Sequence, residues 1–154
     1  GTFVIGAVYD SSDFAKLADD SQTESGNYGF YAIAEQMVYR EGGPGTDQGL
    51  TAWATIASSP DDDINTLPFF FGGGAYYTGL FKSRPDDITA FGVFYGSFSD
   101  DLPGQDYETV LEVNHRFQIA PSTYITPDIQ YIINPNGGGI SDAWVLGLET
   151  SIDF

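Results

Sequence analysis

Apolar and polar positions alternate most cleanly at the end of the chain. From Ala143 to Phe154, Trp144, Leu146, Leu148, Thr150, Ile152 and Phe154 fall on one face. Val145, Gly147, Glu149, Ser151 and Asp153 fall on the other. A period of two is the side-chain period of a β-strand, so this stretch is a strand with one apolar and one largely polar wall. Tyr107–Ala120 repeats the pattern, with Glu108, Val110, Glu112, Asn114, Arg116 and Gln118 opposite Tyr107, Thr109, Leu111, Val113, His115, Phe117 and Ile119. In Thr123–Pro135, Tyr124, Thr126, Asp128, Gln130, Ile132 and Asn134 oppose Ile125, Ile129, Tyr131 and Ile133. Phe69-Phe70-Phe71 followed by Gly72-Gly73-Gly74 gives no usable phase. In Tyr28–Arg40 the adjacent Glu35-Gln36 pair disturbs the alternation and points to a β-bulge there.

Eight strand-like segments follow, separated by turn-rich stretches: Thr2–Asp10, Tyr28–Arg40, Leu50–Ser58, Pro68–Phe81, Ile88–Ser99, Tyr107–Ala120, Thr123–Pro135 and Ala143–Phe154. No segment reads as a helix; short, acidic Asp13–Asp20 comes nearest. Most segments exceed the usual strand of a globular domain and meet the ~9–11 residues that a tilted membrane strand needs. A soluble domain would bury the apolar walls, whereas a transmembrane barrel turns them to lipid and the polar walls to a wet lumen.

The connections favour the barrel. Counted back from the C-terminus, the odd ones (Asn136–Asp142, Asp100–Asp106, Ser59–Leu67, Ser11–Asn27) are acidic or rich in Gly and Asn, and Ser11–Asn27 is the longest. The even ones (Pro121-Ser122, Lys82–Asp87, Glu41–Gly49) are shorter, and Arg40, Lys82, Arg84 and Arg116, four of the five basic residues, lie in or near them. One rim is therefore acidic with longer loops and the other carries tight turns and cations, as in bacterial barrels. An even strand count places both termini on the short-turn side.

Composition narrows the classes further. There are 22 acidic residues against 5 basic ones, a formal net charge of −17, so no basic patch exists to neutralise phosphates and nucleic acid is excluded as a partner. Aromatics reach 16%, with 19 Gly and a single Met, which favours strands and tight turns over helices. Cysteine does not occur, which removes disulfides, thiolate metal sites and a Cys nucleophile. No apolar run approaches a membrane-spanning helix, which leaves strand-built membrane proteins open. Gly1 leads directly into a β-like run without a signal peptide, so an outer-membrane precursor is expected to have been trimmed or to begin further upstream.

Several stretches also match one family in order. Tyr31-Ala32-Ile33-Ala34-Glu35-Gln36-Met37-Val38-Tyr39-Arg40 resembles an AEQ-x-x-YR segment. Gly73-Gly74-Ala75-Tyr76-Tyr77-Thr78-Gly79-Leu80 with Arg84-Pro85-Asp86-Asp87 resembles GGG-x-x-Y-x-GL…RPxD. Glu108-Thr109-Val110-Leu111-Glu112 resembles ETVLE, Pro127-Asp128-Ile129-Gln130-Tyr131-Ile132-Ile133-Asn134-Pro135 resembles PDxQYxxNP, and Leu146-Gly147-Leu148 precedes the terminal Phe154. The family is the carbohydrate-selective porins of Gram-negative outer membranes, the OprB type, and the likeness runs from about Tyr28 to the C-terminus. It implies a 16-stranded, sugar-passing barrel, usually trimeric. Eight strands are half of that, so the chain reads as the C-terminal half, with the N-terminal strands of the same barrel as its partner. A free-standing eight-stranded barrel would have a filled interior and no channel.

As a single all-β barrel segment without separate domains, the chain offers Glu108, Glu112, Asn114, Arg116, Gln118, Asp128, Gln130 and Glu149, and also Asp153, as lumen residues facing sugars. Such a wall exchanges donors and acceptors with hydroxyls, offers aromatic surfaces to ring faces and needs no catalysis or cofactor. Hydrated wall without a binding role is the competing reading for each one. Glu35 and Arg40 are candidates for a pore role, an interstrand ion pair or a turn anchor. His115, the only histidine, shares a face with Leu111, Val113 and Phe117, which places it at the lipid interface. A lipase on a barrel wall would use an outward histidine, but the neighbouring Asn114 points to the other face. Asp61-Asp62-Asp63, Asp100-Asp101 and Asp106 lack EF-hand spacing for Ca²⁺ and read as an acidic loop surface. The glycine triplets are strand kinks or loop flexibility rather than phosphate loops.

The expectation is therefore a passive sugar channel in the outer membrane, assembled as a homotrimer and preferring cations over anions. A general cation-preferring porin and a small non-conducting barrel or anchor are the alternatives.

Overall fold

A computed structural model describes all residues from Gly1 to Phe154. It contains eight strands: β1 (Thr2–Ala15), β2 (Thr23–Arg40), β3 (Gly49–Ser58), β4 (Phe69–Thr78), β5 (Ile88–Ser97), β6 (Tyr107–Ala120), β7 (Thr123–Ile133) and β8 (Ala143–Ile152). They form one antiparallel meander in chain order, and β1 and β8 do not pair with each other. The only helical element is a 3-10 turn at Pro135–Gly137, opened by Asn134 and Asn136 with positive φ.

Sequence periodicity misplaces some ends. β1 runs on through Ser11, Ser12 and Asp13 to Ala15 and β2 starts at Thr23, so the anticipated long loop Ser11–Asn27 shrinks to residues 16–22. Polar residues there sit on a strand that projects beyond the apolar band, where water satisfies them. β4 stops at Thr78 because Gly79, with φ 78°, turns the chain, and Phe81 and Arg84 then pair in an isolated bridge. The bulge expected at Glu35-Gln36 is displaced: β2 and β3 stay in register there and slip between Met37 and Tyr39, which leaves Val38 as the extra residue on β2. Loop lengths sort only at the extremes: the longest connection, 59–68, is on the acidic rim and the one tight turn, 121–122, on the other, but 41–48 and 79–87 on that second rim are longer than 16–22 on the first. Charge does sort: Asp19, Asp20, Asp61, Asp62, Asp63, Asp100, Asp101, Asp106 and Asp142 all lie on one rim.

The register assigns every strand residue to one of two faces. One is predominantly apolar and exposed, with Ile5 88% accessible, Leu146 79%, Leu148 71% and Trp144 68%, its few polar residues such as His115, Thr89 and Gln36 lying towards the strand ends. Only Ile64 counts as a buried hydrophobic side chain, so there is no dry core between layers. In water such a wall would be far larger than the apolar patches soluble monomers tolerate. In hydrocarbon it costs nothing, and the backbone groups of the inner strands are satisfied by the ladder. Trp144, Leu146 and Leu148 thus face outward and Glu149 lies on the opposite side, the inversion that defines an outer-membrane-type barrel wall.

At the acidic rim the connections brace one another. Lys16 reaches both Asp63 and, at 3.1 Å, Glu24, while Leu17 N–H donates to the Asp63 carbonyl at 2.8 Å. The Asn27 and Asn65 amides exchange hydrogen bonds of 2.8 and 3.1 Å. Ser99 N–H donates to the Thr66 carbonyl, and Asp106 N–H to the Gly137 carbonyl. Each connection is tied to the next, so the rim is held as a unit.

Candidate functional site

The face opposite the apolar wall is mixed, and it changes character across the sheet. On β6, β7 and β8 it is a polar quilt. Glu112 accepts hydrogen bonds from Asn114 Nδ2 at 2.8 Å and from Gln130 Nε2 at 3.3 Å, one on each carboxylate oxygen. Arg116 lies over the Tyr124 ring with its guanidinium carbon 3.8 Å from the centroid, and donates to Gln118 Oε1 at 3.0 Å. Tyr124 donates to Glu149 at 3.2 Å. Asp128 is register partner to Asn114 and Gly147, and its Oδ1 is buried without a hydrogen-bond partner, as is Arg116 Nε.

The sequence-predicted set is thus brought onto one face, but not as one cluster. Glu112, Asn114 and Gln130 touch, and Arg116, Gln118, Tyr124 and Glu149 form a second chain towards the short turn. Gln118 Nε2 also donates to the Ala120 carbonyl at 2.7 Å, tying it to that turn. Glu108 stands apart and accepts the Asn136 N–H at 2.7 Å, anchoring the β7–β8 connection. Glu35 lies on the mixed face of β2, opposite Trp53. Arg40 donates to the Thr46 carbonyl within the β2–β3 connection and makes no ion pair with Glu35, so of the roles open to it the structure shows a turn anchor.

On β3, β4 and β5 the same face carries aromatic rings over glycine. Trp53 and Phe94 have ring centroids 5.5 Å apart at 34°, and Phe70 and Phe94 lie 6.4 Å apart at 24°. Sequence reading missed these rings because the Phe and Gly triplets of β4 conceal the alternation. The available signal was the register itself: once β6 is phased by its carboxylates, pairing carries that phase back through Gly92, Gly74 and Trp53.

His115 sits on the apolar face at the other rim, where Asp87 is the hub. Arg84 grips the Asp87 carboxylate with both Nε and Nη2, Gln118 N–H donates to Oδ1 at 2.9 Å, and His115 Nε2 lies 3.2 Å from Oδ2. The Thr89 hydroxyl is 2.8 Å from His115 Nδ1. A hydroxyl, an imidazole and a carboxylate in line resemble a hydrolytic triad. Here, however, Asp87 is 2% exposed and committed to Arg84 and to backbone, and the ring is packed edge-on against Phe117 at 4.3 Å. The arrangement pins the β4–β5 connection to β6. The Arg84 guanidinium, ahead of the Gln118 N–H and His115, holds the Asp87 carboxyl below the usual carboxylate range. On the acidic rim Lys16 likewise lowers Asp63, and no three His, Cys, Asp or Glu side chains converge as a metal site.

An open antiparallel sheet of long strands with a lipid-type outer face defines the class, a wall of a transmembrane barrel. The comparisons narrow it: the model of the carbohydrate-selective porin, OprB family, matches residues 1–154, and the chain belongs to that family. It is 25% identical over 180 residues to the putative porin QuiX of Acinetobacter baylyi, matching all of this chain and 40% of that protein. A solved high-pH structure of Pseudomonas putida OprB superposes with a TM-score of 0.90 at 24% identity, over 99% of this chain and 44% of the other, and shares the fold. The chain spans less than half the length of these relatives.

Proposed function

We propose that this chain forms part of the wall of an outer-membrane channel through which small carbohydrates diffuse passively, with the mixed face lining the lumen. The carrying observation is the match of the carbohydrate-selective porin family over the whole chain, joined to a sheet whose greasy side is exposed and whose carboxylates and amides share the other side. The unpaired ladder edges of β1 and β8 would each cost several kcal/mol per bare backbone group in hydrocarbon, so further strands of the same barrel close them. Assembly as a homotrimer in outer-membrane lipid follows the family resemblance.

In this reading Glu112, Asn114 and Gln130 exchange hydrogen bonds with sugar hydroxyls in place of water, and Arg116, Gln118, Asp128 and Glu149 extend the polar track. Glu108 serves the loop and Arg40 the turn, while Glu35 completes the opposite flank. The net charge of −17 supports a second property, preference for cations over anions, which a general porin without sugar selectivity would share.

Single-channel recording on the reconstituted full-length product separates the two. The sugar channel shows saturable reduction of ion current by a hexose, altered by Glu112→Ala and by Arg116→Ala. Cation-selective current that no sugar reduces leaves only the general porin, and no current at all overturns both.

A further inference from the structure

One register row crosses the middle of the wall through Glu35, Trp53, Gly74, Gly92, Glu112 and Gln130. The two glycines leave the row open, and the indole fills it. A Cβ at Gly74 would run first into the Phe91 carbonyl oxygen of β5 and would also stand 3.0 Å from Trp53 Cζ2; one at Gly92 would stand 3.3 Å from the same ring atom. Adjacent strands are ~4.8 Å apart, so the ring spans β4 and its far edge reaches β5, one strand short of Glu112. Phe94 also presses on this floor, its Cε2 3.0 Å from a Cβ at Gly92. Trp53, Phe94 and Phe70, tilted by 34° and 24° between neighbours, make a shelf that is half-exposed rather than packed into a core.

Glycine inside a strand weakens it unless something must approach closely. Here two things approach: the β5 backbone closes on Gly74, and the Phe94 and Trp53 rings close on Gly92, so the indole lies across both glycines with Glu35 on one side and Glu112 on the other. Glu112 is held by Asn114 and Gln130, one donor on each oxygen, and each oxygen keeps a further acceptor position.

We propose that this shelf is a stacking subsite for a pyranose-type ring, with Glu112 and Glu35 as acceptors at its two edges; the proposal rests on the channel reading. A chair-form sugar presents axial C–H groups from one face, whose weakly positive hydrogens suit the negative face of an aromatic ring. Its equatorial hydroxyls radiate in the ring plane as donors, and charged acceptors bind them more strongly than neutral ones do. An open-chain polyol carries the same hydroxyls but no rigid C–H face. The shelf therefore discriminates by ring rather than by hydroxyl count, which the polar quilt of β6–β8 alone does not do.

Current block on the reconstituted full-length product, with glucose and sorbitol as paired probes, tests this. The wild type is blocked saturably by glucose and far less by sorbitol. Trp53→Ala raises the half-blocking glucose concentration about tenfold, the loss of one ring contact, and Trp53→Phe falls between. Gly92→Ala, which wedges a methyl under both rings, acts in the same direction while keeping the indole. Sorbitol block stays unchanged in all three. Equal glucose and sorbitol block in the wild type, or glucose block indifferent to Trp53 and Gly92, overturns the shelf and leaves the channel standing. The second result is also what a segment of the same barrel folded over the rings would produce. A wild type without conductance overturns the channel reading, and the shelf with it.

Discussion

The mixed face has two halves with the same pleat and an unbroken central register but opposite chemistry. On β6–β8 it is polar: Glu112 is bonded to Asn114 and Gln130, Arg116 to Gln118 and Glu149 to Tyr124, with Asp128 beside them. On β3–β5 it is made of Trp53, Phe70 and Phe94 lying over Gly72, Gly74 and Gly92. The outer face shows no such division, because lipid asks the same of every strand. A lumen wall is under no such uniform demand, so its halves can differ; in the proposed channel the difference would separate where a solute meets rings from where it meets hydrogen-bonding groups.

The largest expected effect tests whether mixed and apolar faces differ at all. Leu146→Arg, at mid-wall on the outer face, should cost about 2–4 kcal/mol of folding stability in bilayers, whereas Val145→Arg, one residue earlier, should cost under about 1 kcal/mol. Urea titration of folding into vesicles measures both, and equal costs would erase the distinction. A smaller effect lies at the seam between the halves, where Asp87 ties the β4–β5 connection to β6. Asp87→Asn should lose about 2 kcal/mol, less than a fully buried pair because the Arg84 side chain is 41% exposed. The Asp87 carboxyl is held below its ordinary value, so its contribution is complete above an unfolded-state value of about 3.9 and disappears as pH falls through the lower folded value. The wild type should therefore lose its advantage over the variant below about pH 4 in the same titration. A constant gap down to pH 2 would show that Asp87 acts through shape alone.

Much of this was legible in the chain. Strands β6, β7 and β8 announce themselves because charged, amide or other polar residues recur on one face of each, and a polar residue fixes the phase that an apolar residue leaves open. β4 hides its phase, since Phe69, Phe70 and Phe71 are hydrophobic on both faces and three glycines offer no side chain. Only pairing with β3 and β5 shows that Phe70 belongs with Trp53 and that Phe69 and Phe71 face the other way. The extension of β1 through Ser11, Ser12 and Asp13 was hidden for a related reason: beyond the apolar band a strand needs no hydrophobic alternation, so its residues look like loop. Glu108 was correctly phased but its partner was not foreseeable, because the Asn136 N–H comes from a turn shaped by positive φ at Asn134 and Asn136. The anchoring of Arg40 to Thr46 is likewise decided by the turn and not by the strand pattern.

The two tryptophans of this chain stand on opposite faces, Trp144 on the apolar one and Trp53 over the glycines. Single-tryptophan versions of the full-length product, retaining one or the other, can be reconstituted into vesicles of brominated lipid and read by fluorescence. Trp144 should be strongly quenched by the lipid and shielded from aqueous iodide, while Trp53 should escape the lipid quencher. Strong lipid quenching of Trp53 with Trp144 untouched would mean that the wall is turned the other way, and would contradict the assignment of the two faces.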